Sequence, residues 1–258
     1  MLSIKYSLYD CFADRSFAGH TAAIVEVPQK PEYELAKKVS VELCQTITCF
    51  VWREKNRIQV ESLAKDGAVW LVNHGLLGVA KHFVKEQDVL YSADAKFEVR
   101  VSDDSVSIAI PRQELNLMEM PERLNQAFDV VPVSVREIGA TCLVELRTVK
   151  EVIDLEIDFN RISKLDYDRI VITAEDDTVS FDYVYRYFSP KHSVNENNGS
   201  LYVQTFLPIF WQERLGKNDF SFWQPSVRKS SGYVSVEKNC IRLEAPVRKI
   251  FDGTLKVL

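Results

Sequence analysis

Several features that would each point to a function are missing from this chain. Neither a G-x-x-x-x-G-K-[ST] loop nor a G-x-G-x-x-G turn occurs, so nucleotide binding of those kinds has no support. No apolar run approaches the roughly 20 residues that a membrane-crossing helix needs, and no membrane partner is expected. The five cysteines, Cys11, Cys44, Cys49, Cys142 and Cys240, are odd in number and lack C-x-x-C spacing. That pattern argues against a disulfide framework and against a zinc site; reduced core thiols are expected, with no metal. Basic residues are scattered along an acidic chain of formal charge −5, so there is no cationic stripe to neutralise phosphates and no nucleic-acid partner is expected. Met1 to Ser7 alternates like a strand, without the basic start and apolar stretch of a signal peptide, which places the protein in the cytoplasm.

What remains is a chain of 258 residues, enough for two cores of ordinary domain size. Period-two alternation at Ile4 to Tyr9, Ala22 to Val27, Arg57 to Leu63, Phe97 to Val101 and Val106 to Ile110 predicts strands. Glu32 to Leu43, opened by Pro31, has the apolar spacing of an amphipathic helix. A second helix is predicted from Gly75 to about Lys85, apolar on most sides and therefore buried. Residues 111–132 carry three prolines, Met118 and Met120, and read as a crossover between domains at 1–115 and 116–258. Strands are predicted again at Val133 to Ile138, Thr141 to Val149, Arg169 to Thr173, Val179 to Phe188 and within Gly232 to Val257.

The second half contains Arg186-Tyr-Phe-Ser-Pro190 and then a polar turn, Asn197-Asn-Gly-Ser-Leu201, feeding an apolar helix through Trp211 to Gly216. Ser200 is a favoured helix-opening residue, and the N–H groups at such a start suit a small anion. Pro208 falls inside that helix, where it would remove a hydrogen bond and bend the axis. Asn73-His-Gly-Leu-Leu77 occupies the equivalent place in the first half, which suggests an internal duplication.

These segments, in this order, resemble the phenazine-biosynthesis (PhzF-like) isomerase family. Asp10-Cys-Phe-Ala-Asp-Arg-Ser-Phe-Ala-Gly-His-Thr-Ala-Ala23 is similar to the family opening, Thr48-Cys-Phe-Val51 and His74-Gly75 follow at the right intervals, and Phe188-Ser-Pro190 with Gly199-Ser200 resembles the second-half signature, across a shorter loop. The resemblance implies an α+β protein of two similar domains. Each would be a curved mixed sheet or barrel around a central helix, as in diaminopimelate epimerase, with an active cleft between them. It also implies a small carboxylate-bearing metabolite as substrate, no cofactor, and a homodimer.

The family moves a proton with a glutamate placed just before the Thr-Ala-Phe-Val strand, a position that Ile47 occupies here. Isoleucine carries no proton, so His74 and His20 become the candidate catalytic groups, since histidine titrates near neutrality. Gly75, Gly199 and Ser200 become the candidate carboxylate-binding residues. Asn195 and Glu196 are the nearest matches to an acidic residue of the family's second loop. Structural readings compete at each position. His74 satisfies a turn, His20 replaces a structural Asn, Ser200 caps a helix, Cys49 packs in the core, and Glu61, Lys65 and Asp66 form a charged turn. His192 is expected in a solvated loop, and His82, on the second helix, as a structural or surface histidine. Two functions follow: an isomerase or related lyase with altered catalytic groups, or an inactive protein of the same fold that binds a ligand or forms a complex.

Overall fold

The computed structural model describes residues 2–117, 128, 130–176, 180–189, 191 and 194–257. The chain divides into two compact units, Met1–Ile110 with Arg242–Leu258, and Pro111–Ile241.

In the first unit the strands are β1 (Leu2–Cys11), β2 (His20–Glu26), β3 (Ile47–Glu54), β4 (Arg57–Ala64), β5 (Gln87–Ser92), β6 (Ala95–Val101) and β7 (Ser105–Ile110), in spatial as well as chain order. β16 (Ile241–Val257) follows β7 and pairs in turn with β1, closing an eight-stranded barrel without an open edge. This pairing corrects the division at residue 115. The last strand belongs to the first unit, because its hydrogen-bond partners are there. Helix α2 (Gly75–Phe83) fills the barrel, packing against β1, β2, β3, β6 and β7. Its residues Gly75 to Ala80 are all buried, as a helix apolar on nearly every side requires. Helix α1 (Tyr33–Leu43) covers β3 and β4 from outside.

β2 and β3 run parallel, pairing Ala22 with Ile47, while β3 and β4 are antiparallel through the two-residue turn Lys55-Asn56, both residues at positive φ. His20 and Ile47 therefore start neighbouring strands at one end of the barrel. The predicted strands and first helix all appear, and α2 ends two residues early, at Phe83.

The second unit has the strand order β15-β14-β12-β11-β10-β9-β8, with β13 paired to β12. These strands are β8 (Asn116–Leu117), β9 (Ser134–Ile138), β10 (Thr141–Glu145), β11 (Arg169–Glu175), β12 (Tyr183–Ser189), β13 (Val194–Glu196), β14 (Asp219–Gln224) and β15 (Ser230–Val236). Parallel and antiparallel pairs mix in both units, so the fold is α+β. Helix α3 (Val149–Asp154) opens with a capping box formed by Thr148 and Glu151, and the short α4 (Phe159–Ile162) is capped by Asp158.

The predicted long helix from Gly199 is corrected. A 3-10 turn at Val203–Thr205 comes first, and helix α5 (Leu207–Leu215) begins only at Leu207. Pro208 thus lies in the first turn, where its missing N–H would have no intrahelical partner and its fixed φ suits helix entry. It ends nothing and bends nothing. Met118, Met120, Pro190 and His192 lie outside the described residues.

Candidate active site

Two strand starts and one helix start meet at the same end of the barrel. β2 begins at His20, β3 at Ile47, and α2 at Gly75, immediately after His74. The topology brings the His20 and His74 rings together in a parallel stack, with centroids 3.8 Å apart and planes 11° apart. Both residues are buried. His20 Nε2 pairs with the Thr46 hydroxyl at 3.0 Å, and His74 Nε2 lies 3.2 Å from the carbonyl of Thr21. A carbonyl only accepts, so Nε2 of His74 carries the proton and Nδ1 is left as its basic atom. Burial, reinforced by the facing His20, holds the His74 pKa well below the ordinary histidine value, against a smaller opposing effect of the Thr21 carbonyl. The His74 ring is therefore neutral at neutral pH.

Below the rings the packing is tight. A Cβ on Gly75 would meet Cys49 Sγ at 2.4 Å, Asn73 Oδ1 at 2.9 Å and Ile47 Cγ2 at 3.0 Å, so only glycine lets α2 approach β3 this closely. Ile47 is 2% exposed and fills the space beside the helix start. The Gly75 N–H donates to Asn73 Oδ1 at 2.9 Å, the Leu76 N–H to Asn73 O and the Leu77 N–H to His74 O. The start of α2 is thus satisfied from within the chain. Cys49 is a core thiol, pushed up to about 12 by burial and hydrogen-bonded to Ser62.

In the second unit Gly199 sits at φ +137°, a backbone conformation few side chains tolerate, and Ser200 is buried. Ser200 acts as a cap: its hydroxyl accepts the Val203 N–H at 3.2 Å, while its own N–H points at the Tyr185 hydroxyl at 3.4 Å. The preceding carbonyls are gripped from the β14–β15 hairpin, Asn197 O by the Gln224 side chain and Asn198 O by Ser230. Gln224 and Ser230 are cross-strand partners, which explains why they reach consecutive peptides.

Glu196 forms a two-point ion pair with Arg186, at 2.9 and 3.0 Å. Arg186 also donates to the carbonyls of Val152 and Leu155 at the end of α3. That carboxylate is thus committed to an ion pair within the second unit. Glu61 pairs with Lys30, and Asp66 caps its own turn through the Ala68 N–H. His82 bridges the Tyr9 hydroxyl and Glu26 towards the other end of β2. Cys11, Cys49 and Cys142 are buried free thiols, but Cys44 is exposed at the C-terminal cap of α1 and Cys240 is half-buried, a correction to the expectation of five core thiols.

No family profile matches the chain. An uncharacterized isomerase of Vibrio cholerae is 26% identical over 242 residues, covering 91% of this chain and 84% of that protein. A phenazine biosynthesis-like domain-containing protein of Bos taurus is 21% identical over 293 residues, covering 98% and 99%. The crystal structure of a PhzF-family phenazine biosynthesis protein from Enterococcus faecalis superposes with a TM-score of 0.91 at 20% identity, over 99% of this chain and 100% of that one. The chain has the PhzF-like fold. The Vibrio cholerae relative is named as an isomerase, and the fold is shared with a structure described as a predicted epimerase of Pseudomonas aeruginosa, at a TM-score of 0.73 and 15% identity over 98% of this chain and 99% of that one.

Among the described residues, sequence reasoning named His20, His74, Ile47 and Gly75, and the fold collects all four at one barrel end. It gave no role to Thr21, Thr46 or Asn73, which orient the rings and the helix start. Asn73 carried a signal, since Asn two residues before a glycine favours a side-chain bond back to the chain. Thr46 carried none.

Proposed function

We propose that this PhzF-like protein is a cofactor-independent isomerase that moves a proton on a small carboxylate-bearing metabolite, with His74, assisted by His20, in place of the family glutamate. The observation that carries the reading is the buried His20–His74 stack beside Ile47. There the Thr21 carbonyl fixes the His74 tautomer and burial keeps the ring neutral, so Nδ1 is available as a base at physiological pH. Two rings in contact resist carrying a charge each, so the pair accepts one proton at a time. Once protonated, the stack favours returning that proton, as a shuttle between two carbons of one substrate must. Ser200 and Gly199 remain the proposed carboxylate-binding residues of the second unit, with Gly75 contributing close backbone approach at the first.

A second reading is a catalytically inactive binder of the same fold. The Gly75 N–H committed to Asn73 favours it, as does an isoleucine buried at the glutamate position. Incubation in D2O with a panel of small cyclic and amino carboxylates, followed by mass spectrometry, separates the two. Deuterium incorporation that disappears in His74→Ala is expected for the isomerase. Binding without exchange, unchanged in that variant, would establish the binder instead.

A further inference from the structure

Seven non-glycine residues among those described have positive φ: Phe12, Phe17, Cys44, Lys55, Asn56, Ala93 and Lys229. Most have a local reason. Cys44 closes helix α1, and Lys55-Asn56 make the β3–β4 hairpin turn. The two phenylalanines are the bulky exceptions, for which this region is an outlier that must be compensated. Phe12 is compensated by complete burial and by a loop base fastened to β16, where the Ala13 N–H donates to Pro246 O and Arg248 donates to the carbonyls of Ala13 and Asp14.

Phe17 has no such compensation. It is the third residue of the turn Arg15 to Ala18, closed by the Ala18 N–H on Arg15 O, with φ +66° at a position that turns of this kind give to Gly or Asn. Its side chain is 85% exposed. A strained backbone and an unburied aromatic ring are both unfavourable in the isolated chain, and a Gly there would avoid both. The turn is anchored, since a Cβ on the following Gly19 would meet Cys11 O at 2.2 Å. It joins β1 to β2 directly before His20, at the barrel end that carries the histidine stack and Ile47.

We infer that Phe17 is a specificity-determining residue that lays its ring against the apolar part of a carboxylate held at the His20–His74 pair, selecting ring-bearing over short-chain acids; this rests on the proposed proton-transfer reading. The ring then gains the apolar contact it lacks in the free protein, and the strain is offset only when ligand is present.

The test uses cyclohexanecarboxylate, benzoate and acetate as probes. Binding is followed through the imidazole NMR signals of His20 and His74 in wild type, Phe17→Gly and Phe17→Leu. Phe17→Gly should melt at or above the wild-type temperature, because glycine accepts the positive φ. It should nevertheless bind the two ring-bearing acids about tenfold more weakly, with acetate unchanged and Phe17→Leu within about threefold of wild type. Equal affinities in all three proteins would overturn the inference while leaving the histidine site standing. A lower melting temperature for Phe17→Gly would overturn it by making Phe17 structural, and loss of self-association in that variant would overturn it by assigning the ring to contact with a second copy. If no probe moves either histidine signal in the wild type, the proton-transfer reading fails and this inference fails with it.

Discussion

The imidazole of His20 lies flat on that of His74, 3.8 Å between centroids, although one begins a strand and the other precedes a helix far along the chain. Burial and the neighbouring ring both oppose charging of His74, so the folded protein keeps it neutral well below pH 6.5. The unfolded chain takes up a proton near that pH. Between the two values the unfolded state binds more protons, so stability rises with pH. It is fully present above about pH 6.5 and is lost as pH falls below it, at no more than about 1.4 kcal/mol per pH unit for this one group. Urea midpoints measured from pH 8 to pH 5 should show this loss, and His74→Phe should flatten it. An NMR titration placing His74 near 6.5 in the folded protein would contradict the burial argument directly.

Gly75 tests how closely α2 seats on β3. Its φ lies outside the left-handed region, so alanine is conformationally acceptable and the cost of Gly75→Ala is steric, mainly against Cys49 Sγ. Overpacking of this kind costs about 1–3 kcal/mol. Removing the sulfur with Cys49→Ala should relieve it, giving a double variant more stable than the sum of the singles by about 0.5–3 kcal/mol. Strictly additive losses in denaturant unfolding would mean that the helix start yields by moving elsewhere.

How much of this was legible follows from the range of each interaction. Alternation along Ile4 to Tyr9 or Arg57 to Leu63 is local, and so is the apolar run from Leu76 to Ala80; those elements were readable. The closing of the barrel by β16 was not, because pairing of Tyr6 with Gly253 joins the two ends of the chain and leaves no local trace. At the site, His20 and His74 were found through motif order. Their stacking depends on α2 starting beside the start of β2, which is a property of how the helix sits in the barrel. Glu196 looked like a candidate acid because Arg186 lies on a different strand, and their pairing appears only once β12 and β13 are aligned.

Pro208 offers a direct check on where α5 begins. A proline in the body of a helix costs about 3 kcal/mol or more, so replacing it with alanine there would stabilise by a similar amount. In the first turn the missing N–H has no partner to lose and the ring is pre-set for helix entry. Pro208→Ala should therefore change stability by less than about 1 kcal/mol, with a slight loss from the freer unfolded chain. A gain of several kcal/mol on thermal unfolding would restore the mid-helix placement.

Arg186 and Glu196 are 13% and 22% exposed in their side chains, so their pair is largely shielded from solvent. Removing one partner of such a pair leaves the other charge unmatched, at a cost of about 3–5 kcal/mol. Arg186 additionally holds the Val152 and Leu155 carbonyls, which would otherwise be untied at the end of α3. Arg186→Met and Glu196→Gln should therefore differ in kind. Both destabilise the protein, but only Arg186→Met should raise amide hydrogen exchange across Val149–Asp154, since Glu196→Gln leaves the guanidinium on those carbonyls. The double variant Arg186→Met/Glu196→Leu replaces the charges with apolar groups of similar reach and should lose less than the two singles combined. If Glu196→Gln loosens the α3 segment as much as Arg186→Met does, the carboxylate is what orients the arginine, and the two hydrogen bonds to α3 depend on it.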